Sequence, residues 1–162
     1  DVRQIAALLD DAITEARTIA GGLHPVTLDA EGLTFALREL AINVSRLSGI
    51  SCQLDCPLPV LVADNAVATH LYRIAQEAVN NAVRHSHATE ITIELTNVAE
   101  DLVALKVADN GVDLAEPPKR SGGMGMAIMQ YRVRLIGGML VIDSGPGRGT
   151  TIACQISGKS VT

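Results

Sequence analysis

Between His70 and Ser86 the chain sets His70, Arg73, Glu77, Asn81 and Arg84 at spacings of three and four. At about 100° per residue these five fall in a stripe about 80° wide on one side of a helix. Leu71, Ile74, Ala75, Ala78 and Ala82 cluster on another side. A carboxylate, an amide oxygen and a guanidinium on successive turns can meet a divalent cation, a water and a phosphate together. A solvated helix face has the same spacing, so the stripe alone leaves both readings open. Downstream, Asp109-Asn110-Gly111 ends a strand pattern, where a carboxylate can project into a pocket or simply begin a turn. Gly122-Gly123-Met124-Gly125 then opens a helical pattern. Glycines there let backbone approach a ligand, and the exposed amides of a helix start favour an anion. The run lacks the third glycine and preceding strand of a dinucleotide fingerprint. Gly158-Lys159-Ser160 is no phosphate loop, since Ala153 stands where its first glycine is needed.

The elements that must hold these residues are legible from periodicity. Ile5, Leu9, Ala12, Ala16, Ile19 and Leu23 predict an amphipathic helix over 2–23, ended by His24-Pro25. A second helix is expected over 31–47, with Leu33, Leu37, Leu40 and Val44 inward and Gly49 as its break. Alternation predicts strands at 50–54, 90–95 and 102–107, with Asn97 to Asp101 as the turn between the last two. The third helix spans 65–86 and a fourth 125–136. Strands at 139–143 and 150–156 come next, joined through Gly145-Pro146-Gly147. This order predicts an α/β fold, a two-layer sandwich with a mixed sheet on three helices and an N-terminal helical arm.

At 162 residues the chain has room for one domain and an arm. Its 48% apolar content excludes a disordered chain, and the absence of Trp leaves the core to aliphatic side chains. One Phe and two Tyr cannot build a stacking platform, and a net charge of −5 opposes binding to a nucleic-acid backbone. Direct nucleic-acid contact is therefore not expected. Cys52, Cys56 and Cys154 form no CxxC pair and read as reduced thiols of a cytoplasmic protein. A metal site on Cys52 and Cys56 with a distant ligand is the sharper alternative.

In combination the motifs resemble the ATP-binding catalytic domain of two-component sensor histidine kinases. These belong to the Bergerat-fold, or GHKL, group that also holds gyrase and MutL-type ATPases. The run Leu71-Tyr72-Arg73-Ile74-Ala75-Gln76-Glu77-Ala78-Val79-Asn80-Asn81-Ala82-Val83-Arg84-His85-Ser86 is similar to the N-box of the subfamily paired mostly with NarL-type response regulators. Asp109-Asn110-Gly111 resembles the first glycine box and Gly123-Met124-Gly125-Met126 the second. Tyr131-Arg132-Val133 with Gly137-Gly138 matches the family's next helix and strand start, and Gly147-Arg148-Gly149-Thr150-Thr151 its closing turn. The likeness covers residues 17–156. It implies that Asn81 ligates Mg²⁺ and bridges it to ATP, and that Asp109 accepts from the adenine amino group. Gly111 would admit the base and Thr150 would support Asp109. Arg84 and the amides of Gly123, Gly125 and Met126 would face the phosphates. Glu77 matches the acid that serves as catalytic base in hydrolysing relatives.

The resemblance divides the chain into a remnant of the dimerisation and phosphotransfer helix at 1–24, the catalytic domain at 25–157 and a tail at 158–162. It implies a homodimeric parent, a phosphoacceptor domain and a NarL-type response regulator as partners, and a chain cut from a longer kinase. Asp113 departs from the pattern, standing where another glycine is usual, and the lid between Asp109 and Gly123 is short. A stand-alone ATPase or anti-sigma-factor serine kinase of the same group is a competing reading. The segment 17–25 and the Tyr72-Arg73-Ile74 run oppose it. A nucleotide-free interaction module is another, favoured only by Asp113. The subfamily's phosphoacceptor histidine is followed by an acid, whereas His24, His70, His85 and His87 precede Pro, Leu, Ser and Ala. Incubation with γ-labelled ATP should therefore leave no acid-labile, base-stable label on this chain.

Overall fold

The computed structural model describes residues 32–99, 102–111, 124–145 and 147–157. The expected N-terminal arm, Asp113, the lid, Gly123 and the tail lie outside the described residues. The elements are α1 (Gly32–Ser48), β1 (Ser51–Asp55), α2 (Asn65–His85), β2 (Glu90–Ala99), β3 (Leu102–Asp109), α3 (Met124–Leu135), β4 (Met139–Gly145) and β5 (Gly149–Ser157). The five strands form one sheet in the order β1-β2-β3-β5-β4. β1 runs parallel to β2 and every other neighbour pair is antiparallel, so the sheet is mixed.

Strand alternation puts Ile91, Ile93 and Leu95 of β2, Val103, Leu105 and Val107 of β3, and Ile152, Cys154 and Ile156 of β5 on one face. All are buried in a single cluster with Leu33 and Leu37 of α1, Leu71, Ile74 and Val79 of α2, and Met129 and Val133 of α3. The opposite sheet face carries polar groups such as the cross-strand pair Glu94–Lys106, at 2.9 Å. A two-layer α/β sandwich results, because only one face of each element is apolar enough to need cover.

α2 is the central helix, packed on α1, α3 and β3. Its start is set by Asp64, whose Oδ1 accepts from the amides of Ala66 and Val67 at 2.8 and 3.2 Å. Its end is set by Ser86, whose amide and hydroxyl both donate to the Ala82 carbonyl. Ala68, Ala75, Ala78 and Ala82 on its buried side let this long helix lie close to its neighbours. On the edge strand β1, the Cys52 amide donates to Ser45 Oγ and the Cys52 carbonyl accepts from it. A serine of α1 thus satisfies an edge that would otherwise be open.

One expected boundary is corrected. Asn97 to Ala99 belong to β2 rather than to a turn, with Asn97 opposite Val103 and Ala99 opposite Leu102. The ladder shifts register between them, so one extra residue breaks the alternation that would have marked a strand. β3 also runs two residues further than the apolar pattern suggests, which makes Asp109 its last residue, opposite Ile91.

Among the described residues, no helix is long and apolar enough to cross a membrane. Cys52, Cys56 and Cys154 are free thiols. Burial pushes Cys52 and Cys154 up to about 11, so neither forms the reactive thiolate near neutrality. At about pH 8 a disulfide reagent should titrate Cys56 in the native protein, and Cys52 and Cys154 only after denaturant unfolds it. Fast native reaction of all three thiols would contradict this packing.

Candidate functional site

The corner after β3 is built by close backbone approaches. Gly149, at φ +69°, lies so near the end of β3 that a Cβ there would overlap the Asp109 carbonyl oxygen. Asn110 ties the same corner to the start of β2. Its Oδ1 accepts from the amides of Thr89 and Glu90 at 2.9 and 3.0 Å, and its Nδ2 donates to Thr89 Oγ1 at 2.9 Å. Gly111 completes the corner against Ser86, whose carbonyl occupies the space a Cβ would take. The contact that requires glycine at 111 is thus with the end of α2.

These contacts fix Asp109. It shares its sheet face with Leu105 and Val107 and is only 9% exposed. Its Oδ1 accepts from the Gly111 amide at 2.9 Å. Its Oδ2 accepts no hydrogen bond from the described residues, which is costly for a buried carboxylate oxygen unless a ligand supplies a donor. Thr150 follows Gly149 at the start of β5, half-buried on the same sheet face, with its Oγ1 3.4 Å from Ser144 Oγ.

Part of the polar stripe of α2 lies beside α3. Glu77 is half-buried where α3 begins, and a Cβ on Gly125 would overlap its Oε1. Seven residues earlier, His70 Nδ1 lies 3.4 Å from Arg132 Nη1 of α3. His70 and Glu77 therefore border the seam between the two helices, and Asn81 and Arg84 continue the same stripe beyond it. Desolvation holds His70 below its ordinary value, reinforced by Arg132 and opposed by Asp64. Desolvation and then Arg73 lower Arg132, while Glu77 acts in the other direction.

Asn81 and Arg84 lie on the remaining stretch of α2, between Glu77 under the start of α3 and Ser86 against Gly111. That stretch is roughly 13 Å long at the α-helical rise. Asn81 is half-buried, and its amide makes no hydrogen bond to the described residues; Arg84 is exposed. Gly125 and Met126 stand in the first turn of α3, where helical amides have no intrahelical acceptor. The Met126 side chain itself packs against the core.

The model for histidine kinase-, DNA gyrase B-, and HSP90-like ATPases fits residues 66–159, more than half of the chain. The chain belongs to this ATPase family. Its nucleotide is ATP. Relatives of the domain include the nitrate/nitrite sensor protein NarQ of Escherichia coli, 32% identical over 90% of this chain and 25% of NarQ. The sensor histidine kinase LiaS of Bacillus subtilis is 31% identical over 96% of this chain and 42% of LiaS. The chain thus spans less than half the length of these relatives. The fold is shared with the histidine kinase domain of the Erythrobacter litoralis blue-light activated kinase. That match has a TM-score of 0.67 at 17% identity over 80% of this chain and 64% of that one. The Acinetobacter baumannii histidine kinase AdeS gives a TM-score of 0.66 at 17% identity, over 97% and 85%.

Several parts of the ATPase corner carry little local signal. Asn110 reads only as a turn residue, although its side chain joins β3 to β2. Arg132 looks like an ordinary helix cation because its partner is 62 residues away in sequence. Gly147 offers a control for the corner. It also has positive φ, at +71°, but nothing would crowd a Cβ there. Gly149→Ala should lower unfolding stability by about 1–3 kcal/mol more than Gly147→Ala does, since only the former adds a collision to backbone strain. Urea denaturation of the two variants measures the difference; equal losses would show that the approach to Asp109 is slack.

Proposed function

We propose that this chain is the ATP-binding catalytic domain of a sensor histidine kinase. It would pass the γ-phosphoryl group to a histidine on a dimerisation helix, for relay to a response regulator with NarL-type output. The observation that carries the reading is the buried Asp109 carboxylate, one oxygen of which has no partner among the described residues, at one end of a site whose other end is the start of α3.

Residue by residue, Asp109 Oδ2 accepts from the adenine amino group, and Oδ1 is held still by the Gly111 amide. Thr150 supports that contact from β5. Asn81 would hold Mg²⁺ through its amide oxygen. That donor fits the ion, which takes few protein ligands and fills its remaining positions with phosphates and water. When bound there, the ion would supply charge neutralisation to the phosphates. Arg84 and the first-turn amides of Gly125 and Met126, with the preceding Gly123, face the phosphates. Glu77 is the candidate proton acceptor beside the incoming nucleophile. Transfer forms a bond from the attacking nitrogen to the γ-phosphorus and breaks the bond to the ADP oxygen. Positioning and charge stabilisation then supply most of the catalysis.

Calorimetry with ADP or ATP tests the reading. Binding should require Mg²⁺. Asp109→Asn should weaken it by roughly 100-fold, the consequence of replacing a carboxylate acceptor with an amide in a buried site. Asn81→Ala should remove most of the Mg²⁺ dependence. No binding by a folded wild-type protein would sink the proposal.

A further inference from the structure

The seam between α2 and α3 is pinned at two places. Glu77 meets Gly125 at one, and His70 meets Arg132 at the other. Each pair is seven residues from the next on its own helix, while the numbering rises along α3 and falls along α2. The helices are therefore antiparallel with matched spans of about 10 Å, two turns each. Between the pins, Met129 of α3 and Ile74 of α2 are buried in the core. Rotation or sliding of α3 must break one pin or the other.

From this geometry we infer that His70 and Arg132 are positioning residues, whose hydrogen bond holds the first turn of α3 in place against Glu77. The inference rests on the ATP reading above, in which that turn faces the phosphates. Neither side chain touches the nucleotide. They act by fixing the direction from which α3 presents its amides.

The contact has a definite protonation state. Arginine can only donate, so Nδ1 of His70 must carry the lone pair and the ring proton must sit on Nε2. The charged groups around His70 are Arg132 on α3 and Asp64 at the start of α2; Arg73 lies one turn along α2 and acts on Arg132. Protonation puts a second cation against Arg132 and removes the acceptor. Burial and Arg132 hold His70 below the ordinary 6.5, so the bond is formed at neutrality. It is lost as pH falls through the depressed value.

The test is amide hydrogen exchange of Ile128 to Tyr131, whose amides close the first turn of α3 by donating to its carbonyls, corrected for intrinsic rates. It is measured from about pH 7.5 down to 5.5, across the histidine range, alongside calorimetry with Mg²⁺-ADP. Wild type should show exchange rising roughly tenfold toward the acid end, as expected when a charge-assisted bond is lost from a local opening equilibrium. Mg²⁺-ADP affinity should fall in the same step. His70→Asn keeps a neutral acceptor near the position of Nδ1, so both readouts should become level at the protected value. Arg132→Met should exchange fast throughout. Level exchange in the wild type, a step that survives in His70→Asn, or a step in exchange with level affinity overturns the proposal. An exchange step abolished in His70→Asn, with no nucleotide bound at any pH, supports the seam and removes the ATP reading instead.

Discussion

Everything in the site depends on how tightly three chain segments close on the end of β3. Gly149 approaches the Asp109 carbonyl, Asn110 is bonded to Thr89 and Glu90, and Gly111 lies against Ser86. None of these contacts is strong by itself. Together they remove the freedom of a strand end, which would otherwise fray and let its carboxylate turn to solvent. A side chain at 149 or 111 would separate the segments, and a looser corner would let Asp109 solvate. The glycines matter here because backbone must pass close to other groups. Only at Gly149 does positive φ add a second reason.

α2 relates this corner to the rest of the fold. Its alanine-rich side sinks it toward the sheet, its Ser86 end abuts Gly111, and its middle carries Glu77 to the start of α3. The distance between the sheet corner and the start of α3 is thus measured out by one rigid element. Loops that enclose a ligand can vary without changing that distance. This explains how the ATPase fold persists at 17% identity in the Erythrobacter and Acinetobacter kinases.

Much of this was legible before the structure. The apolar face of α2, the inward strands and the five-strand order of elements come from periodicity, since each buries one side only. Asp109 was legible as a strand-end carboxylate, though its burial was not, because Ala108-Asp109 continues a ladder that apolar alternation does not mark. The β2 extension was hidden by its register shift. The polar stripe was legible because helical geometry places His70, Arg73, Glu77, Asn81 and Arg84 on one side of α2. Which part meets α3 depends on a helix that begins 54 positions after His70. The contacts of Asn110 and Arg132 were hidden for the same reason, since what each does is set by a distant partner.

Half-buried polar groups in a small aliphatic protein need a physical account. The chain has no Trp and a net charge of −5, so adding acids to its interior works against stability. Glu77 is tolerable because it lies near the amino end of α3, where helix amides favour an anion, and Arg132 adds a favourable field. Among the described residues Asp109 has no such compensation beyond the Gly111 amide, so leaving its second oxygen without a donor carries a cost. A ligand with one well-placed N–H donor offsets that cost and adds its own contacts. On the proposed ATP reading, the same oxygen both weakens the free protein and selects the ligand. A hydrophobic residue at 109 would favour the fold over the site, whereas the carboxylate favours the site.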